Sequence, residues 1–117
     1  MIHKMKIASE PFSRIKRGVK KIEVRLYDEK RRKINLGDEI VLYKLPNFDE
    51  SINLEVKGLS IFRNFNDLFK TFGTEPFGHS KDTTTSVQVK DMYEVYTKED
   101  EEIYGVIGIH INKKSSS

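Results

Sequence analysis

The chain has no cysteine. That excludes a disulfide framework, a zinc–thiolate centre and a cysteine nucleophile together. No apolar stretch approaches the roughly 20 residues that a membrane-spanning helix requires. Residues 1–6 carry two lysines and lack the apolar run of a secretion signal. A cytoplasmic protein without membrane association is therefore the default expectation. No phosphate-binding P-loop, dinucleotide glycine fingerprint or HExxH zinc motif is present. His3, His79 and His110 are too scattered to suggest a metal site, so neither metal nor cofactor is expected. At 117 residues the chain reads as one domain, residues 1–112, with a disordered tail at 113–117. That length can bury a core without disulfides or metals.

Charge is plentiful and unevenly spread. Residues 1–33 hold 12 Lys and Arg against 4 Asp and Glu, a net of +8. Residues 34–117 hold 9 against 14, a net of −5. A local excess of this kind matters more to phosphates than the total of +3. It is compatible with a nucleic-acid or nucleotide partner and equally with a solvated basic face.

Patterning along the chain predicts roughly five strands and three or four short helices. Residues 1–7 alternate as a first strand. Ser9 offers an N-cap for a helix over Glu10–Arg17, ended by Gly18. A strand follows at Ile22–Tyr27, then the charged run Asp28–Lys33, read as a loop or a strand extension. Gly37-Asp38 is a turn before a strand at Glu39–Leu45, and Asn53–Phe62 is a longer strand with a bulge or bend at Gly58. Phe65, Leu68, Phe69 and Phe72 stand at i, i+3, i+4 and i+7, the spacing of a helix docking on a core. Residues 73–86 read as a polar loop with hydroxyls at Ser80, Thr83 and Thr84. Val89, Met92, Tyr93 and Tyr96 outline a further helix. Thr97-Lys98-Glu99-Asp100 resembles a capping box before a short acidic helix, and Val106–Ile111 is the last strand. Few long crossover helices separate the strands, so the fold class is α+β, a barrel or curled sheet.

The most informative segment is Lys20-Lys21-Ile22-Glu23-Val24-Arg25-Leu26-Tyr27. In a strand, Ile22, Val24 and Leu26 point to one side, into a core. Lys21, Glu23, Arg25 and Tyr27 point to the other, with Lys20 at the entrance. A carboxylate set between cations and followed by an aromatic suits a nucleotide. Arg grips phosphate in two-pronged fashion, and Tyr stacks on a base. An ordinary ion pair that organises a cleft satisfies the same pattern. Lys21, Arg31 and Arg32 are candidate phosphate contacts. A third possibility is a protein-interaction surface near Phe77 or Phe48.

The order of these pieces resembles the ASCH domains of the PUA-like superfamily. Glu10-Pro11-Phe12 and Ile15-Lys16-Arg17-Gly18 look like that family's first helix. Lys20-Lys21-Ile22-Glu23-Val24-Arg25 resembles its Lys-Thr-Ile-Glu-x-Arg signature. Gly37-Asp38 and Tyr104-Gly105-Val106-Ile107-Gly108-Ile109 match its central turn and closing strand. The resemblance covers nearly the whole chain. It implies a PUA-like curled sheet or β-barrel of five to six strands with short helices packed around it. It also implies a cleft beside Lys20–Arg25 that binds RNA or a nucleoside or nucleotide, modified or not, through Lys20, Glu23, Arg25 and Tyr27. Some similar proteins hydrolyse acetylated cytidine with a Lys and a Thr. Lys20 matches that lysine, while Glu23 stands at the position of the nucleophilic Thr and Lys21 at that of the Thr after the lysine. An amidohydrolase built on this chain would therefore use Lys20 and Glu23 as its acid–base pair, with Glu23 activating water.

Overall fold

Period-two alternation of apolar residues builds five strands, and the computed structural model, which describes residues 1–114, joins them in one curled sheet. In chain order the elements are β1 (Ile2–Ile7), α1 (Ser9–Lys16), β2 (Ile22–Leu26), α2 (Glu29–Arg32), β3 (Glu39–Lys44), β4 (Ser51–Phe62), α3 (Phe65–Phe72), α4 (Thr85–Met92), α5 (Lys98–Tyr104) and β5 (Val106–Lys113). The sheet order is β1-β3-β4-β5-β2. β1 runs parallel to β3, and every other pairing is antiparallel. The result is the α+β, PUA-like half-barrel expected from the sequence.

Two apolar clusters hold the sheet, one on each side. On one side Met5, Ile40, Leu42, Leu54, Ile107 and Ile109 pack with Phe12 and Ile15 of α1. On the other, Ile22, Val24 and Leu26 of β2 meet Phe65, Leu68 and Phe69 of α3. The three i, i+3, i+4 aromatic and aliphatic side chains of α3 are thus core, as their spacing predicts. Gly108 lets this happen: a Cβ there would come within 3.2 Å of Ile22 and 3.5 Å of Leu68. Gly58 marks the expected irregularity, where the register of β4 on β5 shifts between Val56 and Gly58.

Local signals fix most element ends. Asn64 caps α3 by accepting from the Asp67 amide at 2.8 Å, and Thr97 caps α5 by accepting from the Asp100 amide at 3.1 Å. Several expectations are corrected. α1 begins at Ser9 and its N-cap is Ala8, which gives no side-chain cap. The basic run 29–32 is a helix, because Asp28 accepts from the Arg31 amide at 3.1 Å and caps it. α4 starts inside the segment read as loop, capped by Thr84 through the Val87 amide, and stops at Met92. Phe77 is 1% exposed and belongs to the core, so no docking patch surrounds it. Lys113, assigned to the tail, closes β5 and donates to the Lys16 carbonyl at 2.7 Å. Lys114 is also held, its amide donating to the Asn53 carbonyl at 2.9 Å, and residues 115–117 lie outside the described residues. No helix among the described residues is long and apolar enough to cross a membrane.

One buried carboxylate ties three elements together. Glu101 on α5 accepts from the Phe65 amide at 2.8 Å and from the Tyr93 hydroxyl at 2.6 Å. Burial, reinforced by that carboxylate, pushes the Tyr93 hydroxyl up to about 12. Removing Glu101 orphans the first amide of α3 inside the protein. Glu101→Ala should therefore cost about 3 kcal/mol in urea unfolding, and Tyr93→Phe about 1 kcal/mol. A loss for Glu101→Ala no larger than that for Tyr93→Phe would contradict this assignment.

Candidate nucleotide-binding site

The site starts at an edge strand. β2 lies at one end of the sheet and pairs only with β5, with Glu23 opposite Ile109 and Arg25 opposite Ile107. Register partners share a face, so Glu23 and Arg25 point to the side that the β5 isoleucines cover. Glu23 is 7% exposed. The row read from the sequence as open to a ligand is therefore largely enclosed. Lys20 is fixed from two directions. Its amide donates to the Arg14 carbonyl at the end of α1, and it forms an isolated bridge with Phe77.

Glu23 lies between two cations. Its Oε2 accepts from Arg25 Nε at 2.9 Å and Nη2 at 2.6 Å, and its Oε1 lies 3.3 Å from Lys20 Nζ. Burial pushes the carboxyl up, but Arg25 and Lys20 together outweigh it and hold Glu23 below its ordinary range. Burial also pulls Arg25 down, and Glu23 more than reverses this. Such a buried ion cluster is a costly way to gain stability, because desolvation absorbs most of the Coulomb energy. Its value lies in fixing charge and direction at a cavity wall.

That cavity measures about 360 Å³, near the lower end of the roughly 300–1,000 Å³ of small-molecule sites. Lys20, Glu23 and Arg25 form its charged wall, and Phe69, Phe77 and Met92 supply apolar surface. Arg14, His79, Gln88 and Tyr96 also line it, none of them read as a site residue from the sequence. Arg14 and Gln88 each leave a buried atom without a partner, Nε on the first and Oε1 on the second. Gln88 Nε2 donates to the Gly73 carbonyl at 3.2 Å and lies 3.1 Å from His79 Nδ1. That amide requires His79 Nδ1 to accept, so a neutral His79 carries its proton on Nε2. Burial, then Arg14 and Lys20, pull His79 down and favour that neutral form. Tyr96 completes the set; burial pushes its hydroxyl up despite nearby Arg25 and Arg31. One unpartnered donor and one unpartnered acceptor inside a cavity are an unusual pair, since buried polar atoms are nearly always satisfied.

The other predicted residues go elsewhere. Tyr27 shares the face of Glu23 and Arg25 but does not line the cavity. It packs on the first core cluster with the Arg32 guanidinium 4.2 Å from its ring centre. Arg32 is thereby engaged, and its Nη2 also donates to the Tyr104 carbonyl at 3.3 Å. Lys21 lies on a different surface, beside Phe72 and His110. Arg31 pairs with Asp28 at 2.9 Å and opens onto a groove outside the cavity. Among the described residues no cluster of His, Asp and Glu could hold a metal ion.

A curled α+β sheet of PUA-like form, with short helices packed around it, defines the fold class. The sequence profile of the ASCH domain matches residues 5–115, and the chain belongs to the ASCH domain family. Among solved structures it is similar to the crystal structure of hypothetical protein PH0355. The two are 33% identical with a TM-score of 0.84, over 97% of this chain and 100% of that one. It is also similar to the solution structure of protein PF0455 from Pyrococcus furiosus, at 28% identity and a TM-score of 0.74, over 99% and 100% of the two chains. No curated protein matches the chain.

The Glu23 cluster has a pH signature. A carboxyl depressed in the folded state adds stability above its ordinary pKa of 4.5, lost as pH falls through the lower folded value. Glu23→Gln leaves two buried cations unpaired and should cost about 3 kcal/mol at neutral pH. The gap between wild type and variant should narrow as pH falls below 4.5. Urea midpoints measured from pH 7 downward test this, and a gap that stays constant would contradict it.

Proposed function

We propose that this ASCH domain binds RNA, taking one unpaired nucleotide of a single strand or loop into the cavity beside Lys20, Glu23 and Arg25. The observation that carries the reading is the pair of unpartnered buried atoms, Arg14 Nε and Gln88 Oε1, in a cavity that also holds a fixed ion cluster. A ligand offering both an acceptor and a donor satisfies them, which is what the edge of a nucleobase does. Apolar Phe69, Phe77 and Met92 suit its ring faces. The family's association with RNA and the basic N-terminal third support the same partner.

The amidohydrolase reading draws on the 3.3 Å between Lys20 Nζ and Glu23 Oε1. Against it stands Arg25. A carboxylate that accepts two guanidinium hydrogen bonds and faces a lysine is held anionic, and a depressed pKa makes a weak general base. Binding without chemistry is the stronger reading of this geometry.

Fluorescence anisotropy with a labelled RNA hairpin carrying an unpaired loop tests the proposal. Lys20→Ala and Gln88→Ala should each weaken binding by about tenfold, while circular dichroism stays unchanged. A perfectly paired duplex should bind more weakly than the hairpin. Equal affinity of both variants and wild type would overturn the proposal. Acetylated cytidine incubated with the protein should show no deacetylation that depends on Lys20.

A further inference from the structure

Outside the cavity, along the free edge of β1, runs a groove of about 650 Å³. Its cations come from three elements: Lys4 and Lys6 alternate to the exposed side of β1, Arg25 comes from β2, and Lys30 and Arg31 come from α2. Arg31 is paired with Asp28. Lys4, Lys6 and Lys30 make no ion pair among the described residues, and the groove has no carboxylate in its lining. Lys30 Nζ is instead anchored on the Lys4 carbonyl at 2.7 Å. Burial pulls this lysine down first, and the neighbouring Arg31 and Arg25 add to it.

An aromatic pair borders this groove. Phe48, in the turn between β3 and β4, has φ of 60°, a left-handed conformation costly for a bulky residue. The strained backbone presents a ring that is 45% exposed, 6.2 Å edge-on from Tyr43 and 5.4 Å from Lys6 Nζ. Burial does not account for an aromatic held this way, whereas stacking on a base would. Groove and cavity are neighbours: Lys6 and Arg25 line both. Arg25 is the partition, since its Nη2 reaches across to the Lys6 carbonyl at 2.8 Å.

We infer that the groove is a second nucleotide subsite: the phosphodiester of a single strand leaving the cavity runs along Lys4, Lys6 and Lys30, and the next base stacks on Phe48. This rests on the RNA-binding reading above and narrows it. The ligand is a strand of at least two nucleotides, and a free nucleoside fills only the cavity.

The test compares a labelled single-stranded hexaribonucleotide with the four ribonucleosides. The proteins are wild type, the double variant Lys4→Gln/Lys30→Gln, Phe48→Ala and Lys20→Ala. The double variant should lose about tenfold in hexamer affinity and flatten the log–log salt slope by about 1.4, at roughly 0.7 per phosphate contact. Phe48→Ala should lose about tenfold through the stacked base. Neither should change nucleoside binding, whereas Lys20→Ala should weaken nucleoside and hexamer alike. If the groove variants bind hexamer like wild type while Lys20→Ala does not, the groove inference falls and the cavity reading stands. If wild type binds no hexamer and no nucleoside, both fall.

Discussion

The structure turns on a single buried carboxylate. Glu23 faces inward from an edge strand, where a lone charge would be prohibitive, and only Arg25 and Lys20 make it tolerable. Each partner is in turn committed to the fold. Lys20 connects α1 to the segment around Phe77, and Arg25 reaches across to the β1 carbonyl of Lys6. β1 and β2 are the two outer strands of the sheet and do not pair with each other. Side chains span the gap instead, Arg25 to Lys6 and Lys30 to Lys4, so the free carbonyls of β1 are satisfied without a sixth strand. A seam closed by cations leaves space on either side of the guanidinium, and those two spaces are the cavity and the groove.

This arrangement gives a division of labour. Inside the seam the Glu23, Lys20 and Arg25 charges are paired and fixed, and the unsatisfied groups are one donor and one acceptor. Such an environment discriminates by hydrogen-bond pattern, because a wrong ligand leaves a buried group unpaired. Outside the seam the charge is one-signed and solvated, which attracts phosphates without choosing among bases. In the proposed binding mode, specificity and affinity fall to adjacent surfaces that share Arg25 and Lys6.

Much of this was legible in the sequence, and the failures have physical causes. The alternation through Ile22, Val24 and Leu26 sets the faces of β2 correctly, and Thr97 and Gly58 mark a cap and a bulge. The ASCH resemblance located Lys20, Glu23 and Arg25 together. What no local pattern could show is what covers that face. Arg14 sits on a helix six residues before Lys20, and Gln88 comes from α4, far along the chain, so the cavity exists only through long-range packing. Tyr27 lies off the cavity because β2 ends at Leu26 and the half-buried ring packs against the core beneath Arg32. The basic run resembles a loop or strand extension in sequence because its cap, Asp28, looks like one more charge in the run. Gln88 did carry a signal in hindsight: a polar residue one position before Val89, in a helix whose N-cap at Thr84 fixes its facing.

The central claim is that a nucleotide completes the hydrogen bonds of Arg14 and Gln88 beside the Glu23 cluster. The most direct measurement is a ¹H–¹⁵N correlation spectrum followed while the RNA hairpin is added. The side-chain signals of Arg14 Nε–H and the Gln88 amide should shift strongly, together with the backbone amides of Lys20, Glu23 and Arg25. Shifts confined to the surface of Lys21 and Phe72, or to that of Tyr27 and Arg32, with the Arg14 and Gln88 signals unmoved, would contradict the account.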